Sequence, residues 1–211
     1  MPQGRTDRKH SGPLENNRAE RVAGMLAAAR GRDTDRRMKL LLAFVIFAVI
    51  FRIVTLIVSL RNERRLKAHG AIEVGAVNSA MLALAHTAFY VAAIVEGFSS
   101  PGGHAFDATA IAGLVIYLFA AGVLVVVIRS LGRFWTIKLI IASDHELVAN
   151  PLFRWVRHPN YFLNLLPELI GFALVLHAFN TLLIGLPLYL FPLIIRIRQE
   201  EAAMRARFPA Y

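Results

Sequence analysis

The sequence predicts an all-α integral membrane protein of about five transmembrane helices, with a C-terminal helical hairpin and a long polar segment on the cytosolic side. Three observations predict it. Of 211 residues, 56% are hydrophobic, and mean hydropathy is +0.52, above what a soluble domain of average composition carries. The apolar residues fall in uninterrupted runs of spanning length. The 24 Lys+Arg, against 14 Asp+Glu, gather in the first 39 positions and at the ends of those runs, where lipid headgroups lie. A net charge of +10 placed in this way is expected for contact with membrane lipids and not for nucleic acid. The absence of cysteine excludes disulfides, zinc thiolates and thiol nucleophiles.

Residues 1–37 are rich in Arg, Asp, Gly and Asn and read as a basic, mostly disordered tail in which only "RVAGMLAAAR" favours a short helix. This tail lacks the pattern of a secretory signal, since the first apolar run begins near residue 40 and no small-residue cleavage site follows it. Residues 38–130 hold three predicted spans. The run Leu40–Leu60 covers about 31 Å as a helix, enough for the hydrocarbon core. Arg52 interrupts it, and a mid-span arginine must face protein, water or a partner acid. The second span, Val77–Phe98, contains His86 and Glu96; the third, Ala108–Ile128, carries no charge and is the expected lipid-exposed helix. The apolar stretch Phe162–Ile195 is too long for one ordinary span, so two helices are expected, with the turn at Asn180–Thr181. Arg52, His86, Glu96, Glu168 and His177 are expected to make structural hydrogen bonds; no metal site is expected, because His86 and Glu96 stand ten apart.

Basic residues alternate between connections. Arg61, Arg64, Arg65 and Lys67 follow the first span, Arg129, Arg133, Lys138, Arg154 and Arg157 the third, and Arg196, Arg198, Arg205 and Arg207 the last. The other two connections have none. This alternation assigns the basic connections and the C-terminus to the cytoplasm.

The remaining region, 131–211, divides into a polar segment 131–161, the hairpin 162–197 and a C-terminal helix 198–211. The polar segment is too long and too aromatic for a plain connector. Within it "TIKLIIA" reads as extended, "SDHELV" and "NPLF" as turns. His158 precedes Pro159, which favours extended backbone at the histidine and a helix start at the proline. The backbone N–H groups of residues 160–162 are then expected to stand free at a helix N-terminus, open to an anion or hydroxyl. At the far end of the hairpin, Arg196 and Glu200 are four apart and share a helix face. Two antiparallel arms of similar length must bring "RIRQEE" back to the membrane surface of "RHPNY".

With both clusters in view, the sequence resembles the isoprenylcysteine carboxyl methyltransferase family of membrane enzymes. The resemblance rests on "RHPNY", a helical hairpin, then "RIRQEE" and a terminal "FPAY", and is strongest over 131–204. The stretches "RNERRLKAHGAIEVG" and "LGRFWTIK" look most like a bacterial branch, some members of which are linked to O-methylation of alkylpyrones. The resemblance implies S-adenosyl-L-methionine as cofactor, bound from the cytosol by the polar segment and the C-terminal helix. It implies cofactor contacts at Lys138, His145, Glu146, Leu147, Val148, Phe153, His158, Pro159, Asn160, Tyr161 and Glu200. Arg196 corresponds to the substrate-binding arginine, with Arg157 beside it, and Arg196 and His158 are the catalytic candidates. Phe153 departs from the tyrosine usual there, which removes one hydroxyl and leaves a ring surface.

Methyl transfer from a sulfonium neutralises charge between an anionic nucleophile and a cationic donor, so orientation and desolvation matter more than a strong base. A carboxylate, as on a prenylated cysteine, or an acidic pyrone hydroxyl on a lipophilic substrate entering from the bilayer suits such a site. Two other readings fit a small helical membrane protein: a reductase of the steroid-reductase type, and a non-catalytic transporter or lipid-binding protein.

Overall fold

A computed structural model describes residues 13–99, 106–141, 158 and 160–207. The order of elements is α1 (Pro13–Ala68), β1 (Ile72–Val74), α2 (Ala76–Ser99), α3 (Ala108–Leu131), β2 (Leu139–Ile141), α4 (Leu166–Val175) and α5 (Leu186–Arg207). Wide π-helical turns, Asn160–Leu165 and Thr181–Gly185, lead into α4 and α5. Each ends two residues before a proline, Pro167 or Pro187. A proline ring clashes with the carbonyl four residues back in an α-helix, and a wider turn relieves that clash. Among the described residues, four helical stretches are long and apolar enough to cross a membrane, 20–68, 76–99, 108–134 and 181–206, and the shorter apolar helix Asn160–Val175 makes the fifth. The protein is an all-α membrane protein, with one two-stranded ribbon among the described residues.

The chain divides into a unit up to Leu40 and one from Leu41. In the first, the expected unstructured tail is helical from Pro13 onward. Its sequence explains this: no proline follows Pro13 before Ala68, alanines cluster at 27–29, and Asp35 pairs with Lys39 at 2.7 Å as Asp33 does with Arg37.

In the second unit the core is drawn from all five helices, including Phe44 and Ala48 of α1, Tyr90 of α2, Tyr117 of α3, Phe172 of α4 and Tyr189 of α5. The Tyr90 and Phe172 rings stack with centroids 4.0 Å apart. α3, whose uncharged stretch Ala108–Ile128 is expected to face lipid, exposes Ile111, Val115, Phe119 and Val126 on one side and is packed closely on α4 with the other. Its Tyr117, Ala120 and Val127 are fully buried, and a Cβ at Gly113 would stand 2.7 Å from Val175 N and 2.8 Å from Gly171 O. Lack of charge lets a helix face lipid but does not require it; small residues that admit a neighbouring backbone decided the matter.

Arg52 finds its acid: it forms an ion pair with Glu168 on α4, which is 1% exposed and also accepts from the Tyr90 hydroxyl. Glu96 binds the opposite end of the hairpin, its two oxygens accepting from Asn180 and Thr181 at 2.7–2.9 Å. The hairpin turn lies at Leu176–Ala178, a few residues before the expected Asn180–Thr181. Ala178 N–H donates to Ala173 O at 2.9 Å and His177 N–H to Leu174 O at 3.2 Å, the paired bonds that close a helix through one left-handed residue. That residue is His177, with φ of 53°, and its ring is held by Asp107 at 3.1 Å.

On the other side, β1 and β2 pair antiparallel with Glu73 opposite Ile140, as "TIKLIIA" predicted. Asn62 donates to Gly132 O at 3.1 Å and Trp135 O at 2.9 Å, and Ile137 N–H donates to Ser59 Oγ at 2.8 Å. The end of α1 thereby fixes the segment that approaches the site.

Candidate functional site

The site forms where the two hairpin arms meet again. Tyr161 lies in the π turn that begins directly after Pro159, and Arg196 and Glu200 lie one turn apart on α5. The Tyr161 hydroxyl donates to Glu200 Oε2 at 2.6 Å, and Arg196 Nε donates to that same hydroxyl at 3.2 Å. Arg196 is 3% exposed. Its other nitrogens donate to Ser79 Oγ at 2.8 Å and to Ile137 O at 3.0 Å. All three acceptors are neutral, and among the described residues no carboxylate lies within ion-pairing distance of the guanidinium. Glu200, reached through the Tyr161 hydroxyl, acts on the guanidinium through charge, and an anion bound directly would offset more of the cost of burying the cation.

His158 is also buried. Its Nδ1 lies 3.8 Å from Glu200 Oε1 and its Nε2 3.4 Å from Glu201 Oε1, and its ring lies near the Tyr161 ring, with centroids 5.7 Å apart. The Glu200 carboxylate holds the imidazole pKa above its ordinary value against the opposing effect of burial, and Glu201 adds to the rise. Among the described residues Nδ1 is buried without a hydrogen-bond partner.

Of the expected residues, the structure thus brings His158, Tyr161, Arg196 and Glu200 together. The Asn160 side chain accepts from Asn164 at 3.1 Å and opens the helix. The N–H groups of Tyr161 and Phe162, expected to be free, both donate to His158 O at 3.1 and 3.2 Å; the tight turn after the proline satisfies them internally. Lys138 lies one residue from the Arg196 acceptor Ile137, but its ammonium pairs with Glu63 at 2.8 Å and Glu73 at 3.4 Å. Those carboxylates, Glu63 first, raise its pKa. Lys67 joins the same two acids, so the cluster ties the ribbon to α1. His145, Glu146, Leu147, Val148, Phe153, Arg157 and Pro159 lie outside the described residues. Sequence reasoning missed Asn78 and Ser79, buried at the start of α2. Their one signal is a polar pair opening an otherwise apolar helix, which reads equally well as a cap.

The helices and this cluster together define an all-α integral membrane protein whose site joins a buried arginine, through a tyrosine hydroxyl, to a carboxylate and a histidine. A sequence model of the isoprenylcysteine carboxyl methyltransferase (ICMT) family matches residues 112–206, which include every clustered residue except Ser79. An uncharacterized protein of Haemophilus influenzae is 46% identical over 167 residues, 78% of this chain and 96% of its own length. The uncharacterized protein YpbQ of Bacillus subtilis is 27% identical over 162 residues, 74% of this chain and 92% of its own. No solved structure matches at a significant level. The chain belongs to the isoprenylcysteine carboxyl methyltransferase family; it is a membrane methyltransferase.

Proposed function

We propose that this methyltransferase uses S-adenosyl-L-methionine to methylate an acidic oxygen on a lipophilic acceptor: a carboxylate, as on a prenylated cysteine, or a vinylogous-acid hydroxyl, as on an alkylpyrone. The observation that carries the reading is Arg196, buried among three neutral acceptors and joined through the Tyr161 hydroxyl to Glu200. A cationic binding group for an oxyanion and an anionic group for a cofactor thereby stand one helical turn apart.

The described residues fit that cofactor. The Nδ1 of His158, unpartnered among the described residues, beside the Glu200 carboxylate offers a donor and an acceptor suited to ribose hydroxyls or an α-amino group. When bound, the cofactor supplies an electrophilic methyl group on a sulfonium. His158, Tyr161 and Glu200 would hold it, along with the expected contacts at His145–Val148, Phe153 and Pro159. Arg196 would orient the acceptor oxygen with its planar fork, aided by Arg157. Such oxygens are already anionic near neutral pH, so no side chain has to remove a proton, and the apolar helices exclude water from the attacking oxygen. The basic residues of the connections on this side, with Arg61, Arg64 and Arg65 at the end of α1, support a site facing the cytoplasm of a bacterial cytoplasmic membrane.

The test is transfer of labelled methyl from S-adenosylmethionine to an S-prenylated cysteine or a 4-hydroxy-6-alkyl-2-pyrone by purified protein. Wild type should label at least one. Arg196→Ala should reduce kcat/KM for the acceptor by about 100-fold, the cost of losing a charged bond to a buried anion, while affinity for S-adenosylhomocysteine stays within about twofold. An Arg196→Ala variant as active as wild type refutes the assigned role, and preferential binding of NADPH favours a reductase instead.

A further inference from the structure

The first turn of α2 and one face of α5 meet at three successive points. At the first, Asn78 Nδ2 donates to Pro192 O at 3.1 Å. At the second, Ser79 Oγ accepts from Arg196 Nη1 at 2.8 Å. At the third, Gly75 lies so close to the Gln199 amide that a Cβ there would overlap it. Residues 192, 196 and 199 share a face of α5, as 75, 78 and 79 do at the start of α2. Gly75 has φ of +64°, a conformation that calls for glycine, while the Gln199 amide beside it is the end of a flexible side chain.

Each contact acts on the placement of Arg196. Pro192 has no N–H to give the carbonyl of residue 188, so α5 has one hydrogen bond fewer in the turn that precedes the one carrying the arginine. The Pro192 carbonyl, which Asn78 braces, is the one that α-helical geometry assigns to the Arg196 N–H. The guanidinium plane is fixed at three points, Ser79 Oγ, Tyr161 Oη and Ile137 O. With two of them left, the plane can hinge about the line that joins them. Asn78 and Ser79 are each 5% exposed, so water does not readily replace either.

We infer that the Gly75–Asn78–Ser79 clasp is a positioning device that sets the guanidinium of Arg196 for the acceptor oxygen, with Ser79 acting through Arg196. The inference rests on the proposed acceptor-binding role of Arg196. Its test has two arms on the full chain in detergent. In the first, the Nε–H resonance of Arg196, assigned by its loss in Arg196→Lys, is followed by 15N NMR. Ser79→Ala should shift and broaden it, and Ser79→Thr, which keeps the hydroxyl, should restore it.

In the second arm, methyl transfer to the S-prenylated cysteine and the alkylpyrone is measured. Ser79→Ala should lower kcat/KM for the acceptor by about tenfold, with S-adenosylhomocysteine affinity within about twofold of wild type. In an Arg196→Ala background it should lower it no further, because a residue acting through another adds nothing once that one is gone. An unchanged Arg196 resonance in Ser79→Ala overturns the clasp whatever the turnover. A full tenfold loss in the Arg196→Ala background overturns the route through Arg196. Wild type that labels neither acceptor fails the proposed function, while the resonance still decides whether Ser79 holds the arginine.

Discussion

Removing the acid from the Arg52–Glu168 pair should destabilise the protein more than almost any other single polar change. Glu168 is 1% exposed, pairs with Arg52 of α1 and accepts from Tyr90 of α2, and His86 Nε2 lies 3.9 Å away. In Glu168→Ala the arginine keeps its charge in an apolar span, and Tyr90 loses its acceptor. Breaking a buried pair from one side costs about 3–5 kcal/mol. Because the Arg52 side chain retains 19% exposure, the low end, about 3 kcal/mol, applies. For a chain of this length about 2–4 °C of Tm accompanies each kcal/mol, so thermal unfolding in one detergent should shift by about 6–12 °C. The double variant Arg52→Met, Glu168→Leu removes both charges and their desolvation penalty together. It should recover to within about 1 kcal/mol of wild type, as apolar replacements of buried pairs do. A Glu168→Ala variant as stable as wild type, or a double variant no better than the single, refutes the reasoning.

The raised pKa of His158 has a definite sign. A histidine held above its unfolded value contributes stability that is fully present below about pH 6.5 and is lost as pH rises through the folded value. NMR titration should find His158 titrating above that value in wild type and lower in Glu200→Gln, and His158→Gln should flatten the Tm-versus-pH curve in that window. Lys138→Met should cost no more than about 1 kcal/mol, since its pairs are partly solvated and Lys67 stays with the same acids. Its S-adenosylhomocysteine affinity should stay within about threefold of wild type; a larger loss measured by calorimetry returns Lys138 to the cofactor.

Much of this architecture is legible in the sequence because the bilayer makes severe demands. A charge in mid-span needs an acid, and Arg52 has one; its identity was hidden because Glu168 lies 116 residues away and only packing chooses it. Equal arms of an apolar hairpin force their polar ends together, and the Tyr161–Glu200 bond shows that they meet. The turn itself was misplaced because the left-handed position is filled by His177, where glycine or asparagine is the usual sign. The packed side of α3 was not legible because Gly113 and Gly171 act through backbone contact, which hydropathy does not register. Ser79 carries only the signal of a polar pair opening an apolar helix, and its place beside Arg196, 117 residues away, is chosen by packing alone.

The central claim is that His158, Tyr161 and Glu200 form one wall of a methyl-donor site. Calorimetric titration of S-adenosylhomocysteine into the purified protein tests it most directly. Saturable binding by wild type that is lost in Glu200→Ala, with the variant still folded at the temperature of the titration though lower in Tm for want of the Tyr161 and His158 contacts, is the predicted result. Wild type that binds none while its helical fold is intact, or Glu200→Ala that binds as tightly as wild type, would contradict it.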